Sequence, residues 1–138
     1  MTEPEWDWSR VVFDHVKIGV RDGAGRIRFY ETVLAPLAIP PLWRSENGAQ
    51  FANLVLSGDA EILSGDAEPS APLHIAFVAA SRDEVDAFDA AGVAAGYADN
   101  GPPGVREHYS SEGGGRYYAA FLLDPDGNNV EAVFREFD

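Results

Sequence analysis

The chain repeats itself, and no other feature constrains its fold as tightly. "FDHVKIGVRDGAGRIRFYETVLAPLAI" begins at Phe13, and "PLHIAFVAASRDEVDAFDAAGVAAGYA" begins at Pro72. A shift of 59 residues carries His15 onto His74, Val16 onto Ile75, Ile18 onto Phe77 and Phe29 onto Phe88. A repeat of this length is one supersecondary unit made twice, and the copies could close on each other or on those of a second chain. At 138 residues the chain has room for one domain built from both.

Each copy opens with a strand and continues with a helix. Val16, Ile18 and Val20 alternate with His15, Lys17 and Gly19, and Leu73, Ile75, Phe77 and Ala79 alternate with His74, Ala76 and Val78. That period of two puts both histidines on the less apolar face of their strands. Ser81 with Glu84 marks a capped helix start, followed by the stripe Val85, Phe88, Ala91. In the first copy Asp22 is the expected N-cap, Ile27, Tyr30, Val33 and Leu34 form the stripe, and Pro36 ends the helix. The helices should cover the apolar strand faces and leave the histidine faces for something else.

Two hairpins should complete the copies. "AQFANLVLSGDAEILSG" predicts two strands around Ser57-Gly58-Asp59, and "RYYAAFLLDPDGNNVEAVF" predicts two around Asp124 to Asn129. Aligning the last strands sets Glu61 on Glu131, with Leu63 on the same face as Glu61 and able to take that position instead. One more strand fits before each hairpin, near Leu42 to Ser45 and near Val105 to Tyr109. "ADNGPPGVREHYSSEGGG" is expected to be a long loop, a feature that compact domains keep for function or leave disordered. The polar linker at residues 65–72 divides the domain, residues 11–135, into module one (11–65) and module two (71–135). Residues 1–10 form an N-terminal arm.

The bulk numbers exclude several classes. A formal charge of −13 repels phosphate backbones, so nucleic-acid binding is not expected. There is no apolar run long enough for a membrane span, and no signal-peptide pattern at the start, so a cytoplasmic home is the default. The absence of cysteine removes disulfides, thiolate metal sites and cysteine nucleophiles. Neither "GAGR" nor "GGG" has the spacing of a phosphate loop, and no nucleophile elbow is present. What stands out instead is one acid, Glu131, inside an apolar last strand. A cation could neutralise it, or it could be hydrogen-bonded or paired with Arg116.

With "DHV" opening module one, "LHIAF" opening module two and "YYAAFLLDPDGNNVEAV" closing the chain, residues 11–135 resemble the vicinal oxygen chelate superfamily of glyoxalases, bleomycin-resistance proteins and extradiol dioxygenases. The resemblance implies an α+β fold of two tandem βαβββ modules whose curled mixed sheets line a cleft. It implies metal ligands at His15, His74 and Glu131, and a fourth position in the last strand of module one. Homodimers are common in that family, and Trp6 with Trp8 could serve such contacts.

Neutral imidazoles and carboxylates suit a divalent ion such as zinc, iron, manganese or nickel. Three such donors leave positions open for water, oxygen or substrate, while Glu61 as a fourth could also act as a base. In the same family the region from Asp99 to Gly115 borders the cleft. His108 is there a candidate acid–base, against the reading that it is simply exposed. Tyr109 and Tyr118 are candidates to orient substrate, and Tyr117 is expected to pack along its strand. The implied function is a metal-dependent lyase or isomerase acting on a small oxygenated substrate. The alternatives are a metal-free protein of the bleomycin-resistance type that sequesters a small cationic ligand, and an iron-dependent extradiol-type dioxygenase.

Overall fold

The computed structural model describes residues 6, 7, 9–20, 23–58, 73–110 and 114–137. Module one runs β1 (Val16–Gly19), α1 (Gly23–Leu34), β2 (Pro41–Arg44), β3 (Gly48–Phe51) and β4 (Leu54–Ser57). Module two runs β5 (His74–Val78), α2 (Arg82–Ala94), β6 (Asp99–Val105), β7 (Arg116–Leu123) and β8 (Asn129–Glu136). The sheets have matching orders, β1-β4-β3-β2 and β5-β8-β7-β6. In each, the first and last strands pair in parallel and the rest antiparallel. This is the α+β, twice-repeated βαβββ architecture that the family resemblance implied. Among the described residues no helix is long and apolar enough to cross a membrane.

The helices form where the stripes predicted them. Ile27, Tyr30, Val33 and Leu34 of α1 are fully buried, as are Val85 and Phe88 of α2. Ser81 caps α2 by accepting a hydrogen bond from the Glu84 amide at 3.2 Å, while Glu84 accepts one from the Ala80 amide. The expected cap Asp22 and the linker at 65–72 lie outside the described residues.

Both helices lie between the sheets. The Tyr30 ring of α1 is 6.0 Å from Phe51 in sheet one and 6.1 Å from Phe77 in sheet two. Gly92 of α2 sits between Leu122 of β7 and Val33 of α1, with no room for a Cβ. One continuous core results, drawing Ile18, Leu56, Phe29, Phe88, Leu122 and Ala132 from both modules. Each fully buried aromatic or aliphatic side chain there contributes about 1.5–3 kcal/mol. Because both sheets turn their apolar faces inward, their other faces look outward, away from one another.

Two local expectations need correction. The module-one hairpin turns at Ala52-Asn53, with Phe51 opposite Leu54, and not at Ser57-Gly58-Asp59. Ala52 holds the turn at a φ of 50°, a conformation usually marked by glycine, so the sequence signal pointed to the wrong place. The stretch expected to be a long loop with a strand near Val105 to Tyr109 instead carries its strand earlier, β6 at Asp99–Val105, followed by a 3₁₀ turn at Glu107–Tyr109. Its prolines are tolerated because β6 is the edge strand, and its pairing with β7 is irregular around Gly101.

Candidate functional site

The closing turn builds the site on module two. Asp124 Oδ1 accepts hydrogen bonds from the amides of Asp126 and Asn128, both at 2.9 Å, and Gly127 takes a φ of 83°. From α1, Arg26 reaches this turn. Its Nε lies 2.7 Å from Asp124 Oδ2, and its Nη1 donates to Asp126 Oδ2 at 2.9 Å. Arg26 and the Asp124 side chain are fully buried, so the pair is a charge clamp between the modules. Asn128 in turn accepts a 2.8 Å hydrogen bond from the Leu73 amide. That contact fixes β5 against β8, with His74 opposite Asn129 and Ala76 opposite Glu131.

The outward face of sheet two therefore carries His74, Ala76 and Val78, then Asn129, Glu131 and Val133, then Tyr117, Ala119 and Phe121. On it His74 Nε2 lies 2.7 Å from Glu131 Oε1, and the Tyr117 hydroxyl donates to Glu131 Oε2. Glu131 is only 1% exposed, whereas the His74 side chain is 53% exposed. Burial, and then the hydrogen bond to Glu131, push the Tyr117 phenol well above its usual range. So the acid in the apolar strand is satisfied by an imidazole and a phenol. It does not pair with Arg116, which goes to Glu136 at 2.8 Å.

From Tyr117 a row of rings continues along the face: Tyr109 at 5.3 Å, then His108 at 4.0 Å from Tyr109. His108 and Tyr109 are exposed and line a cavity of about 400 Å³ with Arg106, Phe121 and Asn129. Tyr118 does not join them. Its hydroxyl donates to Asp86 Oδ1 of α2 at 2.5 Å, and its ring lies under the Arg82 guanidinium. Neighbouring strand residues point to opposite faces. With Leu123 opposite Asn129, every odd-numbered residue of β7 shares a face with Glu131. That parity, legible in the hairpin, would have selected Tyr117 over Tyr118.

His15 sits on the outward side of sheet one, half exposed, with Nδ1 2.7 Å from Asp14 Oδ1. A cavity of about 310 Å³ there is lined by His15, Lys17, Trp43, Gln50, Val55 and Ser57. The partner of Lys17 in β4 is Val55, as the partner of Ala76 in β8 is Glu131. By register Val55 is the β4 counterpart of Glu131; Glu61 and Leu63 lie outside the described residues. His15 does not meet the other donors within one chain. Among the described residues no three His, Asp or Glu side chains gather as a metal site.

Comparison with solved structures gives the lineage. A glyoxalase/bleomycin resistance protein from Albidiferax ferrireducens matches at 32% identity and a TM-score of 0.71, over 89% of this chain and 98% of its own. The chain belongs to the glyoxalase/bleomycin resistance family, within the vicinal oxygen chelate superfamily. A family enzyme from Burkholderia phytofirmans (19% identity, TM-score 0.64, 89% and 98% covered) shares the fold. So does a lactoylglutathione lyase from Agrobacterium tumefaciens (18%, 0.64, 91% and 94%). No family model matches the chain, and no curated protein does.

The donor chemistry of the outward face of sheet two fits a divalent ion in part. His74 Nε2 and Glu131 Oε1 lie 2.7 Å apart as a hydrogen-bonded pair, and an ion held by both would replace that hydrogen bond. One imidazole and one carboxylate are too few by themselves to hold it. A further imidazole, His15, lies on the outward face of the other module.

Proposed function

We propose that the protein is a divalent-metal-dependent lyase or isomerase for a small oxygenated substrate, working as a homodimer. The observation that carries this reading is the approach of His74 Nε2 to within 2.7 Å of Glu131 Oε1 on an outward face. His15, one residue before β1, holds the matching position in the repeat, and both outward faces carry cavities. Facing sheet one of one copy against sheet two of another would bring two imidazoles and one carboxylate together. The bound ion would polarise a substrate carbonyl or diol and stabilise the negative charge that develops on it. Tyr117 would hold Glu131 in place, and His108 is the candidate to move the proton at the rim. With Val55 as the register counterpart of Glu131, the β4 strand supplies no second carboxylate at that position among the described residues. The three-donor set that remains also suits iron, as in a dioxygenase.

A second reading has its own support. Both Glu131 oxygens already have donors, so the buried carboxylate needs no ion, which favours a metal-free binding protein. Elemental analysis of untagged protein, as purified and after reconstitution, separates the two. The metal reading expects about one ion per chain in wild type, lost in His74→Ala, in a particle of two-chain mass. No ion in wild type after incubation with zinc, iron, manganese or nickel would leave the binding protein.

A further inference from the structure

The cavity beside the His74–Glu131 pair contains a cation, Arg106, that no acid of the described residues neutralises. Arg106 follows β6 and folds back along it. Its Nη2 donates to the Pro102 carbonyl at 2.5 Å, and its guanidinium lies 5.3 Å from the centre of the Phe121 ring. A Cβ at Gly101 or Gly104 would come within 3.3 Å of the guanidinium, so the two glycines of "DNGPPGV" leave it the space. The side chain is thus held in one pose, half-buried, at the wall of the cavity of about 400 Å³.

Among the described residues Arg106 has no carboxylate partner, although the chain carries 23 acids against 10 Lys and Arg. Elsewhere in the module the acids are put to use: Arg82 and Arg116 converge on Glu136, at 3.0 and 2.8 Å. In the same cavity wall, Asn129 Oδ1 is buried and, among the described residues, has no hydrogen-bond donor. A fixed guanidinium with spare N–H groups over an aromatic ring matches an oxyanion on a planar or compact carbon frame. An unmet amide oxygen nearby matches a ligand hydroxyl or amine.

We infer that this cavity is an anion subsite: Arg106 takes a carboxylate or phosphate of the substrate, and Asn129 takes a donor group beside it. The substrate is then a small organic anion and not the cation that a charge of −13 suggests. Phe121 opposes Glu131 in the sheet, and the His74 ring lies 6.1 Å from the Phe121 ring, so the anion would be anchored next to the reacting end. This inference rests on the reading that the outward face of sheet two binds the substrate. It does not require that a metal be present.

The test uses three probes of one shape, benzoate, phenyl phosphate and neutral benzamide, titrated into the full-length protein by NMR. Affinities and the Arg106 Nε–H and Asn129 side-chain resonances are followed. At least one anion should bind about tenfold or more tighter than benzamide, shift both resonances, and weaken as salt is added. Which anion wins tells carboxylate from phosphate. Arg106→Gln should erase the preference. Arg106→Lys, which keeps the charge but loses the fork, should keep part of it, and melting curves check that both variants are folded. Benzamide binding as tightly as both anions, no binding by any probe, or a preference that survives in folded Arg106→Gln would each overturn the subsite. Metal content measured on the same samples is read separately, so an ion without anion preference sinks only the subsite.

Discussion

Glu131 shows how one side chain is made tolerable in a core strand. Its two oxygens accept from His74 and Tyr117, so no acceptor is left dry. Tyr117→Phe removes one donor, and urea denaturation should show a loss of about 1–2 kcal/mol. Two phenols also tie stability to alkaline pH. Burial pushes Tyr30 up to about 12 despite the nearby Arg26 cation, and burial with Glu131 pushes Tyr117 up as well. Unfolded phenols ionise near pH 10, so the folded chain holds these protons more tightly than the unfolded one. Their stabilising contribution is complete below pH 10 and is lost as pH rises towards about 12. Denaturation midpoints should fall across that window, and less steeply in Tyr30→Phe. A fall of equal slope in that variant would contradict the assignment.

Among the elements, the closing turn does the most to position the site. The dense run Asp124, Asp126, Asn128 announces a turn in the sequence, and the structure bears it out. What the run does not announce is its clamp. Arg26 stands 100 residues away from Asp126 and looks, in sequence, like one more exposed helix residue. Replacing it with alanine leaves Asp124 buried without its cation, which should cost about 3–5 kcal/mol of stability. The same variant should loosen β5 against β8, visible as faster amide exchange around His74. Unchanged stability in Arg26→Ala would mean that the clamp is incidental. The misplaced hairpin carries the same lesson. Alanine at the Ala52-Asn53 turn gives no local signal, and pairing with β1 and β2 decides where the strand reverses.

At the scale of the molecule, the helices join the modules into one core, so the halves should not unfold separately. Far-ultraviolet circular dichroism and tryptophan fluorescence should follow a single transition. If the protein is a dimer, its midpoint should rise with protein concentration. Two resolved transitions would show the modules to be independent. The sequence by itself determined the duplication, the strand–helix order, the faces on which His15 and His74 lie, and the closing turn. All of these are local or periodic properties, written within a few residues of where they act. Only the tertiary structure decided that Val55 is the register counterpart of Glu131, that Arg26 clamps the turn, and that the outward faces point apart. Those outcomes depend on strand register and on contacts between residues far apart in the chain. A shift of one residue turns a side chain to the opposite face while leaving the local pattern almost unchanged.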